Sequence, residues 1–245
     1  MAGLALTANL LHIPSSPAAP AAHSTAPALE KTLVLRQYSL LNGKTTLKLT
    51  RQAVRLEIPF RRVSLILCAP DWDVLFLNDQ SKIYCHCPAA TWRTPIASGA
   101  ALFRPGDPCN LKTVGSESAE LKGLTCKKYI LQLPAAANEK GLHTWQRLTV
   151  NSGELYVFEG KKYLPRVCTV ISRTLGTLPA SGIPLSLTVT NNNGSHSEEV
   201  KLEEQNEVPF KASDFQVPKN YQQVTGPNEV VHSDAMNEGL SELLH

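Results

Sequence analysis

The chain has 245 residues, of which 42% are hydrophobic and 18% charged, and its formal net charge is +3. The length suits one large domain or two small ones, and the composition is that of a globular protein. Its 24 lysines and arginines form no long basic run, which argues against a nucleic-acid partner. No stretch has the length and apolar character of a transmembrane helix.

The N-terminal residues 1–31 differ in composition from the rest of the chain. A short apolar run at residues 4–13 precedes a segment rich in Ala, Pro and Ser, in which Ala19-Pro20-Ala21 resembles a signal-peptidase site. This pattern predicts an export signal, although no Lys or Arg precedes the apolar run. A disordered tail, or a signal that begins further upstream, is the alternative. We expect one β domain at residues 32–224 and a loose, polar tail at residues 225–245.

Strand patterns begin at residue 32. Residues 45–50 and 53–59 predict a hairpin in which Val54, Leu56 and Ile58 share one face and Arg55 and Glu57 the other, since side chains alternate with a period of two. Residues 63–68 (VSLILC) are too apolar to be half exposed and should lie deep in the sheet. Residues 74–77 and 82–87 predict a second hairpin.

Further strands are predicted at residues 111–114, 125–133 and 143–150, with a turn at Asn151-Ser152-Gly153 before a strand at 154–159. Residues 161–178 predict the one helix, because apolar residues recur at three- and four-residue spacing. Pro165 suits its first turn and Gly176 its C-terminal cap. The apolar stripe consists of Leu164, Val167, Cys168, Ile171 and Leu175.

The clearest alternation lies within residues 181–221. Leu185, Leu187 and Val189 share one face, and the Asn-Gly pair at 193–194 is a strong hairpin signal. The return strand is predicted to place Val200 and Leu202 inward, and Glu199, Lys201 and Glu203 outward. A spaced apolar clamp follows and is expected to seal the end of the sheet: Phe215, Val217, Pro218 and Tyr221. The chain is therefore predicted to be mainly β, a strongly curved antiparallel sheet of about ten to eleven strands with one late packing helix.

The order of several of these segments is similar to that in a known protein family. They are VRLEI at 54–58, KIYCHC from Lys82, GLTCKKY at 123–129, HTWQRL at 143–148, GIPL at 182–185 and FQVPKNY at 215–221. This series resembles an uncharacterised family of exported bacterial proteins related to the LolA/LolB lipoprotein-carrier superfamily, over roughly residues 33–221. The resemblance implies a half-open, LolA-like β-barrel with a helical lid in an extracytoplasmic compartment, either periplasmic or secreted.

The resemblance also implies a function. In the carriers the concave apolar face holds acyl chains, which implies non-enzymatic binding of a lipid or lipidated partner here. The candidate cavity residues are the apolar residues of the two best strand patterns and the helix: Val54, Leu56, Ile58, Leu185, Leu187, Val189, Leu164 and Ile171. The alternative is a structural or protein-interaction module of the same fold whose interior is filled by side chains. The two differ in whether the concave face encloses empty apolar volume.

The six cysteines include the sequence Cys85-His86-Cys87. Zinc sites favour C-x-x-C spacing, whereas on a strand Cys85 and Cys87 share a face and His86 points away, so we predict no metal site. Two interpretations remain. The cysteines are small packing residues, or they belong to a disulfide that includes Cys85, Cys87 or Cys126, because the strand with Cys126 is expected to neighbour the hairpin.

No nucleophile, phosphate-binding, dinucleotide or metalloprotease motif occurs in the sequence. His143 lies in a predicted strand without an accompanying motif. Trp72, Trp92 and Trp145 are expected to be core or rim residues rather than pocket residues. We therefore predict no catalytic residue, no cofactor and no enzyme activity.

Overall fold

A computed structural model of the chain describes residues 30–95, 108–134, 150–160 and 162–231. Within these residues, twelve β-strands form a single sheet. The strands are β1 (Lys31–Ser39), β2 (Gly43–Leu49), β3 (Ala53–Ile58), β4 (Val63–Cys68), β5 (Val74–Asn78), β6 (Ile83–Cys87), β7 (Lys112–Leu121), β8 (Leu124–Gln132), β9 (Val150–Phe158), β10 (Ile183–Asn191), β11 (His196–Pro209) and β12 (Gln222–Gln223). One helix, α1 (Pro165–Leu175), lies between β9 and β10.

The order of the strands across the sheet is β12-β6-β5-β4-β3-β2-β1-β11-β10-β9-β8-β7. Neighbours are antiparallel, except that β12 pairs with β6 in parallel. In the described part of the chain β7 and β12 do not pair with each other, so the sheet is open. The predicted fold class, a curved antiparallel sheet with a late packing helix, is confirmed, with twelve strands instead of ten or eleven and a second short helix at residues 227–231.

The apolar residues that alternate with polar ones along each strand form rows across the inner face of the sheet. Residues directly opposite each other in antiparallel strands share a face. One such row crosses six neighbouring strands, and none of its side chains has measurable exposure: Leu35, Leu47, Leu56, Leu65, Phe76 and Cys85. These side chains belong to one cluster that also contains residues of β8 to β11 and of α1. The sheet therefore curves around a single core.

The outer face of β3 to β5 is covered by the segment that follows β11. Phe215, in a short 3-10 turn, packs there against Ala53, Ile66 and Leu77. This explains why residues 63–68 are apolar on both faces: Leu65 faces the main core and Ile66 faces this segment. The apolar clamp predicted to seal the end of the sheet instead covers its outer face.

A β-bulge interrupts the hairpin of β10 and β11. Leu187 pairs with Val200 and Thr188 pairs with Glu198, so Glu199 has no residue opposite it. Two consecutive side chains are buried as a result, and Glu199 is only 2% exposed. The prediction that Glu199 points outward is therefore wrong, whereas Val200 and its neighbour Leu202 are buried as predicted.

The prediction of a turn at Asn151-Ser152-Gly153 is also wrong, because β9 continues through these three residues without a break. A Cβ atom on Gly153 would lie 2.8 Å from the carbonyl oxygen of Thr188 in β10. The glycine thus permits close contact between two strands and does not form a turn. The strand predicted at 143–150 lies outside the described residues, apart from Val150.

Helix α1 is shorter than the predicted segment 161–178, but both of its predicted end signals are confirmed. Pro165 is the first helical residue, and Gly176 caps the helix in the left-handed region at φ 74°. The backbone N–H of Gly176 donates to the carbonyl oxygen of Arg173 at 3.2 Å. Glycine adopts this conformation without the steric cost of a Cβ atom.

The C-terminal segment, predicted to be loose from residue 225, packs against the sheet as far as residue 231. Residues 227–231 are helical, and Val230 is completely buried in the main core. Its carbonyl oxygen accepts a hydrogen bond of 2.9 Å from the side-chain amide of Asn78. Among the residues described, no helix has the length and apolar character needed to cross a membrane. The export signal predicted within residues 1–31 lies almost entirely outside the described residues.

Candidate functional site

Seven of the eight predicted cavity residues come together in the main core. None of them has measurable accessible surface: Val54, Leu56, Ile58, Leu185, Leu187, Val189 and Ile171. The eighth, Leu164, is 42% exposed. Leu164 caps the N-terminus of α1 in an extended conformation, so the helical periodicity that assigned it to the apolar stripe does not apply.

The C-terminal end of α1 is hydrogen-bonded to the turn between β1 and β2. The side-chain amide of Asn42 donates to the carbonyl oxygen of Thr174 at 2.7 Å. The hydroxyl of Ser39 donates to the carbonyl oxygen of Leu175 at 3.3 Å. The last carbonyl groups of a helix have no partner inside the helix, so these side chains satisfy buried acceptors. The helix is therefore fixed over the inner face by polar as well as apolar contacts.

Tyr163 fixes the other end of α1. Its hydroxyl donates a buried hydrogen bond of 2.5 Å to the carbonyl oxygen of Thr50, and burial raises the pKa of Tyr163. Its ring packs edge-on against Trp72, with ring centroids 6.0 Å apart. Trp92 packs edge-on against Phe76 at 5.4 Å. Both tryptophans are buried core residues, whereas Trp145 and His143 lie outside the described residues.

A cavity of about 420 Å³ lies at the edge of the main core, at the turns that end β3 and β5. It is lined by Arg55, Glu57, Ile58, Pro59, Arg62, Val63, Asp79 and Gln80. Of the eight predicted cavity residues, Ile58 is the one in this lining. The sequence signal for the charged residues is that Arg55 and Glu57 occupy the polar positions of an otherwise apolar strand.

The charged side chains that line this cavity, two arginines and two carboxylates, sum to zero formal charge. The guanidinium of Arg55 lies 2.9 Å from Oε1 of Glu57 and donates to the carbonyl oxygen of Asp214 at 3.0 Å. The carboxylate of Asp79 accepts a hydrogen bond of 2.9 Å from Tyr221. Burial, together with this contact to a carboxylate, raises the pKa of Tyr221 to about 12. The cavity is therefore electrostatically balanced, which favours neither a free anion nor a free cation.

An exposed aromatic corner, residues 59–62, borders this cavity. Phe60 is 76% exposed, and the guanidinium of Arg61 lies 5.5 Å from the centre of its ring. Arg62 adopts the left-handed conformation at φ 55°, and its guanidinium donates to the side-chain carbonyl of Gln80. The neighbouring turn between β1 and β2 adds Leu40, which is also exposed. We call residues 59–62 the Phe60 corner.

Cys85 and Cys87 lie side by side on β6 as free thiols, with their Sγ atoms 3.5 Å apart. Cys126 is also a free thiol, but β8 and β6 lie near opposite ends of the sheet. The expectation that the strand of Cys126 neighbours the hairpin is therefore wrong, because the sheet places β1 to β5 and β9 to β11 between them. The proposed disulfide itself stays a prediction.

His86 points away from the two thiols, as its place on the strand predicts. Its Nε2 atom lies 3.3 Å from a carboxylate oxygen of Asp73. In the described part of the chain, no group of three or more His, Cys, Asp or Glu side chains is arranged to hold a metal ion. The side chain of Cys109 is outside the described residues.

No family model matches the chain, and no curated protein matches it. The solved structures that the chain matches include an uncharacterised conserved protein from Thermus thermophilus, at 11% identity over 79% of this chain and 89% of that chain, with a TM-score of 0.32. The Pseudomonas aeruginosa MucA/MucB complex is 14% identical over 80% of this chain and 59% of that chain, with a TM-score of 0.33. LprF from Mycobacterium bovis is 11% identical over 79% of this chain and 90% of that chain, with a TM-score of 0.25.

At these identities and TM-scores the similarities do not bear on function. The chain spans less than two thirds of the length of the MucA/MucB chain that it matches. The fold implied by the LolA/LolB resemblance, an open curved antiparallel sheet with a packing helix, is nevertheless the fold that the strand order and the core describe.

Proposed function

We propose that this chain is a non-enzymatic, extracytoplasmic protein-interaction module of LolA-like fold, with an interior filled by side chains. The observation that supports this function is the complete burial of the seven cavity candidates on the inner face. An acyl chain needs empty volume beside these residues, and the seven have no measurable accessible surface. The inner face then stabilises the fold, and recognition takes place at the outer surface.

The Phe60 corner is the recognition surface that we propose. Interface hot spots are enriched in aromatic residues and arginine and are often set beside a pocket on one partner. Phe60, Arg61 and Arg62 supply these residue types, and the 420 Å³ cavity lies directly beside them. Because the four charged side chains of the cavity sum to zero formal charge, we infer a protein partner with an apolar side chain rather than a small ion.

A photo-crosslinking experiment tests this surface. The photoreactive amino acid p-benzoylphenylalanine replaces Phe60 in one strain and Val114 in a control strain, because Val114 is 58% exposed on the edge strand β7. We expect discrete heteromeric crosslinks from position 60 and none of the same mass from position 114. Identical patterns from both positions, or no crosslink from position 60, would contradict the proposed surface.

The second candidate function is binding of a lipid or lipidated partner between the sheet and α1. Lipid binding is favoured by the size of the apolar inner face. The six neighbouring strands of its apolar row span about 24 Å, whereas the 11 residues of α1, which cover this face, extend only about 16 Å. A ligand enters this space only if α1 moves, which breaks the hydrogen bonds made by Asn42 and Tyr163.

Native mass spectrometry and organic extraction of the purified protein separate the two functions. The filled interior predicts no co-purified lipid and no saturable binding of an environment-sensitive apolar dye. Lipid at about one per chain, or dye binding that is lost in Leu187→Phe and kept in Leu164→Phe, would favour the second candidate. Leu164 is the matched control because it is the one cavity candidate that the structure leaves exposed.

A further inference from the structure

The spacing of Cys85 and Cys87 on β6 suits a bond between their sulfur atoms. The two residues are separated by one residue on the same face, and their Sγ atoms are 3.5 Å apart. Two steps along a strand separate their Cα atoms by about 6.6 Å. Disulfides span Cα separations of about 4.4–6.8 Å, so this pair lies at the upper end of the range.

The backbone of β6 has room to adjust at this point. On one side, Cys85 and Cys87 pair with Phe76 and Val74 of β5. On the other side, β12 pairs only with Ile83 and Tyr84, so no strand of the described chain pairs with that edge of residues 85–87. A small change in the backbone can therefore bring the two sulfur atoms together without breaking a second ladder of hydrogen bonds.

The other described cysteines are placed elsewhere. The thiol of Cys68 contacts the carbonyl oxygen of Phe215 on the outer face, and that of Cys126 contacts the carbonyl oxygen of Ala119 on β7. Cys168 is buried in α1. Cys85 and Cys87 are the only two described thiols for which the structure shows a contact with each other.

We propose that Cys85 and Cys87 form a reversible dithiol–disulfide pair that exchanges with a small-molecule or protein disulfide. The thiolate of Cys87 attacks one sulfur of the external disulfide, whose S–S bond breaks and releases one thiolate. Cys85 then gives its proton to that thiolate and attacks Sγ of Cys87, which releases the second thiolate. The second thiolate takes up from water the proton that Cys87 lost on ionising. The two cysteines are thus oxidised by two electrons, and the external disulfide is reduced to two thiols.

The order of attack follows from exposure. Cys87 is partly exposed, whereas Cys85 is completely buried. Burial raises the pKa of Cys85, and its contact with Cys87 and the nearby carboxylate of Glu229 raise it further. Cys85 is thus the second nucleophile, which acts once Cys87 carries a good leaving group. The wide Cα separation makes the product strained and easily reduced, which accounts for reversibility.

Thiol mapping of the whole folded chain tests this proposal. Trypsin cleavage after Lys82 and Arg93 yields the fragment 83–93, which holds both cysteines and no other. The protein is equilibrated with mixtures of glutathione and glutathione disulfide, quenched with acid, alkylated and digested. We expect an unalkylated fragment two hydrogen atoms lighter than the dithiol in oxidising mixtures, and a doubly alkylated fragment in reducing ones.

Two variants identify the pairing. Cys85→Ser is expected to stop the reaction at one glutathione adduct on Cys87, whereas Cys126→Ser should leave formation of the unalkylated fragment unchanged. Full alkylation in every mixture, separate glutathione adducts on both cysteines, or loss of the unalkylated fragment in Cys126→Ser would overturn the proposal. The mass of the wild-type fragment decides the question even if Cys85→Ser does not fold.

Discussion

Replacing Leu187 with alanine distinguishes a filled interior from an empty pocket. Leu187 lies in the middle of β10, directly opposite Leu155 of β9 and Val200 of β11, and its side chain is completely buried. In the sequence it was one of the candidates for contact with a ligand. The two proposed functions therefore predict different free energies of unfolding for the same substitution.

The magnitude follows from what the truncation removes. Three carbon atoms leave the core, which costs about 2 kcal/mol at about 0.8 kcal/mol for each buried methylene. If the interior is filled, the truncation also creates a new cavity, and the total for Leu→Ala reaches about 3–5 kcal/mol. If Leu187 already borders an empty pocket, little further contact is lost and the cost stays near the transfer value of about 2 kcal/mol.

Urea unfolding of wild-type and variant proteins measures this difference. We expect a loss of about 3–5 kcal/mol for Leu187→Ala and only about 1 kcal/mol for the control Leu164→Ala, because that side chain is already 42% exposed. Both variants should keep the wild-type dependence on urea concentration, so that the midpoint alone reports stability. A cost of about 2 kcal/mol or less at Leu187 would refute the filled interior and favour the ligand-binding alternative.

Three further changes test the contacts around the core by urea unfolding. Tyr163→Phe removes a buried donor from the carbonyl oxygen of Thr50 and should cost about 1–3 kcal/mol; an unchanged midpoint would contradict that bond. Gly182→Ala should cost more than about 2 kcal/mol, since its Cβ would lie within 3.0 Å of the β9 backbone, whereas Gly226→Ala has open space and should cost less than about 0.5 kcal/mol. Tyr221 has its pKa raised from 10.0 to about 12, so its contribution to stability is complete below pH 10 and lost as the pH rises through about 12. Tyr221→Phe should flatten the pH dependence of stability in that window, and an identical slope in both proteins would contradict it.

Much of the fold is predictable from the sequence because the signals are local. The period of two in β3 and β10 places Leu56 and Leu187 on the inner face, and both are buried. Pro165 and Gly176 mark the ends of α1 because each has a backbone preference that suits one end of a helix. These properties depend on a few neighbouring residues, so a single sequence contains them.

Other features depend on residues far away in the chain. Glu199 is buried because β10 and β11 pair with a bulge, and nothing in the local pattern marks the extra residue. Gly153 resembles a turn residue until the backbone of β10 is placed beside it. The neighbours of Cys126 follow from the order of all twelve strands, which the sequence does not specify.

What covers the candidate site could not be predicted for a related reason. Apolar alternation identifies a face that must be covered, but it does not distinguish coverage by a ligand from coverage by the chain itself. Here the chain covers both faces: α1 and residues 227–231 lie on the inner side, and Phe215 packs on the outer side. Phe60, which is left without such cover, carries no periodic signal because it lies in a turn.

The exposure of Phe60 leads to a final test that separates folding from recognition. A single exposed apolar side chain needs no explanation, but Phe60 lies beside a cavity and next to the turn that exposes Leu40. Since 76% of Phe60 is exposed, Phe60→Ala should change the free energy of unfolding by less than about 0.5 kcal/mol. The same substitution at an interface hot spot costs about 2 kcal/mol or more in binding. A Phe60→Ala protein as stable as the wild type that still forms the wild-type complexes, seen by photo-crosslinking from Arg61, would exclude the Phe60 corner as the recognition surface.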